Sequence, residues 1–169
     1  KLDSIYNTSI LELGCGGGDM HEFFRAMGVE KYLGLDGNPI AYKHSPYIQK
    51  HKDHFRVVNL TEEIDFGRHF TVVCTFEVLE HIPENRLDGF IKTVANHLGP
   101  KSIFLGTASL QDDLDVHVTV KPREFWIKKF GEHGLVPHER ADEFEGLLVK
   151  NHPFNWNGDN TNVFAMKRV

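Results

Sequence analysis

The stretch Ser9-Ile10-Leu11-Glu12-Leu13-Gly14-Cys15-Gly16-Gly17-Gly18-Asp19-Met20 decides the architecture. Ser9 to Leu13 reads as a short β-strand, and the glycines after it as a tight turn. Beyond the turn, Met20, Phe23, Phe24 and Met27 recur at helical spacing until Gly28 stops the run. Strand, glycine turn and helix in this order open a βαβ unit, and a turn without Cβ atoms lets a ligand approach the main chain closely. The dinucleotide fingerprint G-x-G-x-x-G needs a third glycine at position 19, where Asp19 stands. The spacing found is Gly14, Gly16, Gly18, which opposes a nicotinamide cofactor and an oxidoreductase.

Working outward, a second strand, Lys31 to Leu35, leads to Asp36, roughly twenty residues beyond the glycines, where an acid can accept hydrogen bonds from both hydroxyls of a ribose. Asn38 and Pro39 read as an N-cap and a first-turn proline, opening a helix that Pro46 interrupts or kinks. Strand three is Phe55 to Leu60 and strand four Thr71 to Thr75, with only about ten residues between them, too few for a full crossover helix. From Asn85, the spacing Leu87, Phe90, Ile91, Val94, Ala95, Leu98 gives one apolar helix face, closed by Gly99-Pro100. Strand five is Ser102 to Leu105, and Pro122 starts a further helix through Trp126 and Phe130 that Gly134 ends. The tail offers Gly146 to Val149 and Val163 to Met166 as two strands joined by a long loop, a length that suits an antiparallel pair. The expected fold is α/β: a single Rossmann-like, doubly wound, mostly parallel seven-stranded sheet with an antiparallel last strand.

With 169 residues, 40% hydrophobic and 25% charged, the chain fits one domain over 1–169. A formal charge of -5 provides no global positive field for nucleic acid or an anionic membrane, so a small or neutral acceptor fits better. No apolar stretch approaches the roughly 20 residues that span a bilayer, and no signal-peptide core is visible. Cys15 and Cys74 lie in glycine-rich or apolar runs, which suits reduced thiols and a cytoplasmic location. Opening on Lys1 without methionine fits an excised domain as well as a trimmed one.

Four segments carry a family resemblance: Leu11 through Gly18; Tyr32-Leu33-Gly34-Leu35-Asp36; Phe76-Glu77-Val78-Leu79-Glu80-His81-Ile82-Pro83; and His117 through Phe125-Trp126 to Gly134-Leu135. From about Ile10 to Leu135 the chain resembles the class I S-adenosylmethionine (SAM)-dependent methyltransferase superfamily, in particular its small-molecule and sugar methyltransferases. The resemblance implies SAM as cofactor. It puts Glu12 with Gly14, Cys15 and Gly16 at the methionine end, Asp36 and Gly37 at the ribose, Asn59 and Leu60 at the adenine, and the backbone near Phe76 against the cofactor. The sequence departs from the family pattern at Asn59, where many members have aspartate, and in its short lead before the first strand, where members carry helices that cover SAM.

Methyl transfer from a sulfonium is an in-line displacement with a good leaving group, so the protein mainly aligns the acceptor and removes its proton. His81, beyond strand four at the carboxyl edge of the sheet, is a candidate catalytic base, since an unperturbed imidazole titrates at about 6.5. The same residues also suit a plain helix cap. His117 is the second candidate, with an ordinary loop histidine as its alternative. Glu77, Glu80 and His81 stand at i, i+3, i+4 and would share a face on a helical turn. They resemble the metal motif of the small-RNA 3'-terminal ribose methyltransferases, in which a later histidine, here His117, completes the site. Metal-free members carry similar strings, so a divalent metal stays open. Asp112, Asp113 and Asp115 suit a solvated loop, sugar-hydroxyl contacts, or a place around a cation beside His117. Lys43, His44, Lys50, His51, Lys52, His54 and Arg56 read as a solvated basic face. Phe154 and Trp156 suit either an acceptor ring or a structural plug. The leading expectation is O-methylation of a sugar-like or other small acceptor. Metal-dependent RNA 3'-terminal 2'-O-methylation and a non-catalytic SAM-binding module are the alternatives. The acceptor's identity and the oligomeric state are not written in the sequence.

Overall fold

The computed structural model describes residues 7–112, 115–151 and 161–169. Its sheet comprises β1 (Ser9–Leu13), β2 (Lys31–Asp36), β3 (Phe55–Val57), β4 (Phe70–Thr75), β5 (Leu98–Ser109), β6 (Leu135–Pro137) and β7 (Thr161–Arg168), in the spatial order β3-β2-β1-β4-β5-β7-β6. The helices are α1 (Asp19–Ala26), α2 (Pro39–His44), α3 (Pro46–Lys50), α4 (Leu87–Asn96), α5 (Arg123–Gly131) and α6 (Ala141–Asn151). β1 runs parallel to both β2 and β4, with Glu12 opposite Gly34 on one side and Cys74 on the other. β7 is antiparallel to β5 and to β6. This is the expected Rossmann-like sheet with an antiparallel last strand. None of the helices among the described residues is long and apolar enough to cross a membrane.

Alternation along β1 divides the core. Leu11 and Leu13 face a cluster built with Phe90, Val94, Trp126, Phe130 and Phe164, which α4 and α5 cover. Ile10 faces the other way, toward Tyr32, Ile48, Phe55 and Cys74, beneath α1, α2 and α3. Each fully buried large apolar side chain contributes about 1.5–3 kcal/mol relative to exposure, so Trp126, Phe130 and Phe164, all at 0% exposure, anchor the first cluster. Because the chain winds outward from β1 to β3 and then returns to β4, the winding reverses between β1 and β4. The crevice beyond their carboxyl ends is the ligand position of such sheets.

Local chemistry explains the element ends. The Asn38 side chain accepts from the Ile40 and Ala41 N–H groups with Pro39 behind it, and Ser45 caps α3 in front of Pro46, so the predicted proline break divides two helices. The connection from β3 to β4 holds no α-helix, as its length implied. β3 ends at Val57, three residues earlier than expected, because the chain leaves the ladder there and sends Leu60 into the core.

The tail corrects the sequence reading. Gly146 to Val149 is not a strand but part of α6. Phe144, Leu147 and Leu148 stand at helical spacing, Asp142 and Glu143 occupy the first turn and Lys150 the last, all of which favour a helix. The Arg123 guanidinium donates to both Glu145 oxygens, at 2.9 and 3.1 Å, and the Ala165 N–H donates to one of them at 3.2 Å, which fastens α6 to α5 and β7. The seventh strand is instead the three-residue β6. β5 also starts earlier than expected, at Leu98, because Phe70 pairs with Leu98 before a register shift ahead of Val72. Phe154 and Trp156 lie outside the described residues.

Candidate active site

The β1–β2 side of the crevice, where the sequence resemblance expects the cofactor, is built mostly from backbone. The Gly14 and Cys15 N–H groups both donate to the Leu35 carbonyl, at 2.7 and 3.0 Å, which ties the glycine turn to the end of β2. Gly14 sits at φ +86°, and a Cβ there would lie 2.2 Å from Val78 Cγ2, so glycine is required twice over. Asp36 accepts from the Gly16 N–H through one oxygen and from the Asn38 N–H through the other, each at 2.7 Å. A carboxylate has about four lone-pair sites, so about two remain open for the ribose contact expected from the sequence. The crevice also receives the amino end of α1, whose N-cap, Gly18, supplies no side-chain cap.

Glu12 is 3% exposed and accepts a hydrogen bond from the Tyr32 hydroxyl. Burial pushes its carboxyl up to about 7; the Tyr32 bond opposes that rise and the nearby Asp36 and Asp19 add to it. Cys15 and Cys74 are free and buried, and desolvation raises both thiols, which keeps them unreactive. Gly37 packs against the Val58 carbonyl, 3.6 Å from where its Cβ would be. The Asn59 amide is committed within its own loop: its oxygen accepts from the Thr61 N–H and hydroxyl, and its nitrogen donates to Glu62. With Leu60 turned into the core, what this loop offers an adenine is main chain.

The other side of the crevice, beyond β4 and β5, is built from side chains on two loops. Thr75 donates to the Leu13 carbonyl at 2.7 Å, locking the end of β4 to β1. Two residues on, Glu77 has φ +54°, the left-handed region, which it alone among the described non-glycine residues adopts. Such a conformation costs on the order of 1–3 kcal/mol and persists only where the surroundings impose it. The following Leu79–His81 is a single 3-10 turn, so Glu77, Glu80 and His81 do not share the helical face expected from the sequence.

Glu80 is 0% exposed. The backbone N–H groups of Glu80 and Ser109 are near enough to pull its carboxyl down in part, but burial dominates and raises it. Neither of its oxygens has a hydrogen-bond partner, and the same holds for Glu77 Oε1. His81 Nδ1 lies 2.9 Å from the Val116 carbonyl and His117 Nδ1 lies 2.7 Å from the Gln111 carbonyl. A carbonyl only accepts, so both rings donate through Nδ1 and keep a lone pair on Nε2. The two rings meet edge to face with centroids 4.8 Å apart, and ligand atoms of Glu80, His81 and His117 all lie within 4.8 Å of one another. Thr119 closes the arrangement, its N–H donating to the Glu80 carbonyl at 2.9 Å and its hydroxyl to the Ile82 carbonyl at 2.7 Å.

Buried carboxylate oxygens without partners are rare in folded proteins and destabilising. Glu80, His81 and His117, with Glu77 near enough to interact electrostatically with Glu80 and His117, form a donor set that suits a divalent transition-metal cation such as manganese. Asp112 and Asp115 are exposed and stand outside this group, and Asp113 is not among the described residues. Lys43, His44, Lys50, Lys52 and Arg56 are exposed, as a solvated face requires, whereas His51 and His54 turn toward the buried His21 ring. Sequence reasoning missed Tyr32, Thr107 and Thr119; a lone threonine inside an apolar strand run was the available signal. On the α1 face, an apolar groove of ≈ 330 Å³ runs between Phe23 and Met27 of α1 and Leu147 and Leu148 of α6, with Phe76 at one margin.

The chain matches the family described as "Methyltransferase domain" over residues 3–153. It is 31% identical over 109 residues to the ubiquinone biosynthesis O-methyltransferase of Azorhizobium caulinodans, covering 62% of this chain and 42% of that protein. To the protein of the same name from Paramagnetospirillum magneticum it is 26% identical over 148 residues, covering 83% and 57%. The chain thus spans about half the length of the curated relatives it matches. The crystal structure of a TehB-like SAM-dependent methyltransferase from Corynebacterium glutamicum has the same fold, with a TM-score of 0.72 at 16% identity, over 99% of this chain and 85% of that one.

Proposed function

The chain belongs to the methyltransferase-domain family of class I SAM-dependent enzymes, and from that premise we propose that it methylates an oxygen of a small acceptor, with Glu77, Glu80, His81 and His117 holding a divalent cation beside the cofactor. The observation that carries this reading is the set of unpartnered buried oxygens on Glu77 and Glu80, next to two imidazoles whose Nε2 lone pairs are free. A divalent cation bound there supplies Lewis acidity that lowers the pKa of a coordinated hydroxyl. The chain's own groups do the rest. Asp36 and the glycine turn hold the adenosine of SAM, Glu12 stands at its methionine end, and the β1–β4 pairing sets the donor beside the acceptor loops. Excluding water and fixing the approach of the acceptor oxygen to the sulfonium methyl is the main catalytic demand.

The relatives named for ubiquinone biosynthesis support an oxygen acceptor. A sugar-like or a hydroxylated-ring acceptor both meet that requirement. The net charge of -5 counts against an RNA end. A second reading needs no metal: His81 or His117, with Nδ1 donated to a carbonyl, is already in the tautomer of a general base at Nε2.

The test uses the chelator-treated protein, assayed with SAM on a panel of catechols, phenols and sugars with and without added manganese or magnesium. Manganese binding is followed in parallel by electron paramagnetic resonance. The expected result is methylation restored by metal, with manganese binding abolished in Glu80→Gln. Undiminished turnover after chelation refutes the cation and leaves the histidine base. Tight SAM binding with no turnover on any acceptor favours a non-catalytic module.

A further inference from the structure

We propose that Thr107 is a positioning residue of this site: its buried hydroxyl imposes the left-handed backbone of Glu77 and so aims the Glu77 carboxylate into the group formed by Glu80, His81 and His117. The inference rests on the cation reading above. Glu77 has no local reason to adopt φ +54°, because it carries a Cβ and lacks the short polar side chain that eases this region for asparagine or aspartate. What holds it is the Glu77 N–H, which donates to Thr107 Oγ1 at 3.0 Å across thirty positions of sequence.

Thr107 suits that task. It is 0% exposed and lies on β5, whose backbone is fixed on both sides, with Gly106 opposite Thr75 of β4 and Thr107 opposite Val163 of β7. A hydroxyl both accepts and donates. One buried side chain thus fixes the main chain of a proposed ligand. Groups that orient metal ligands in this way typically change metal affinity about 10- to 100-fold when removed.

Valine has the shape of threonine without the hydroxyl, and serine keeps the hydroxyl without the methyl, so Thr107→Val and Thr107→Ser separate the two roles. Manganese affinity, by electron paramagnetic resonance, and SAM affinity, by calorimetry, are measured on the chelator-treated full chain. Thr107→Val is expected to weaken manganese binding about 10- to 100-fold with SAM affinity unchanged, and Thr107→Ser to stay near the parent in both. Parent-like manganese binding in Thr107→Val overturns the proposal while the cation reading stands. Loss of both affinities in both variants makes Thr107 merely structural and overturns it as well. Should Thr107→Val not fold, Thr107→Ala is compared with Thr107→Ser by the same criteria. If the parent protein binds no manganese, the cation reading fails and the positioning role falls with it.

Discussion

Glu12→Gln should make the protein more stable, by an amount that depends on pH. Glu12 is 3% exposed with Tyr32 as its hydrogen-bond donor, and its carboxyl is raised from 4.5 to about 7 in the folded state. A raised folded value means that the native state binds the proton more tightly than the unfolded chain. The contribution is therefore fully present below pH 4.5 and is lost as pH rises toward 7. Over that window stability falls by roughly 1.4 kcal/mol per pH unit, about 3 kcal/mol in all, worth on the order of 10 °C in melting temperature for a chain of this size. Glutamine keeps the shape and does not titrate. Urea unfolding of the two proteins at pH 4.5, 6, 7 and 8 should show a stability difference that grows in favour of Glu12→Gln up to pH 7 and then levels. His21, whose pKa is lowered to about 4 by burial first and by its cationic neighbours next, takes stability away as pH falls from 6.5 toward 4. That effect is common to both proteins and cancels in the difference. A difference that stays constant with pH, or shrinks as pH rises, would refute the claim that Glu12 is carried as a desolvated acid.

Three further outcomes can be checked. Asp36→Asn should weaken SAM binding by about 1.5–3 kcal/mol, the worth of a charge-assisted hydrogen bond, with calorimetry as the measure; unchanged affinity would remove Asp36 from the ribose site. Gly14→Ala and Gly16→Ala both force a Cβ into positive φ, which costs roughly 1–2 kcal/mol, but only the first meets Val78 Cγ2 at 2.2 Å. Gly14→Ala should therefore be the more destabilising in urea, and adding Val78→Ala should recover part of the loss; equal effects of the two glycine substitutions would contradict the packing described. Arg123→Met leaves the half-buried Glu145 with the Ala165 N–H as its remaining donor among the hydrogen bonds described for it, and should cost about 1 kcal/mol given the exposure of the pair. No change in the melting curve would mean that α6 is held by its apolar contacts.

The glycine turn and the end of β2 were legible in the sequence because their constraints fall on residue types that leave a mark. A turn that needs positive φ at positions 14, 16 and 18 shows as glycine, and a strand end that must offer two acceptors shows as Asp36. The stretch from Glu77 to His81, with His117, was legible only as a list of possible ligand types. Nothing in the string Glu77 to His81 announces that Glu77 is twisted left-handed and that the rest is one 3-10 turn, because that geometry is imposed by Thr107, thirty residues away and on another strand. The misplaced strand has a local cause. Leu147-Leu148-Val149 is a short apolar run with no period of its own, and only the reach back to Phe144 exposes the helical spacing. Asn59 shows the reverse case: its side chain looked available for adenine, but a residue able to cap its own turn tends to do so.

The facing of Glu12 and Cys74 across the β1–β4 ladder has an engineering meaning. Neighbouring strands run about 4.8 Å apart at a spacing that hydrogen bonds dictate, so the proposed donor and acceptor sides would ride on two rails of fixed gauge. The loops above those rails can be lengthened, exchanged or evolved toward a new acceptor without resetting the gap the methyl group must cross. A slip of a single residue in the ladder would put Glu12 and Cys74 on opposite faces of the sheet.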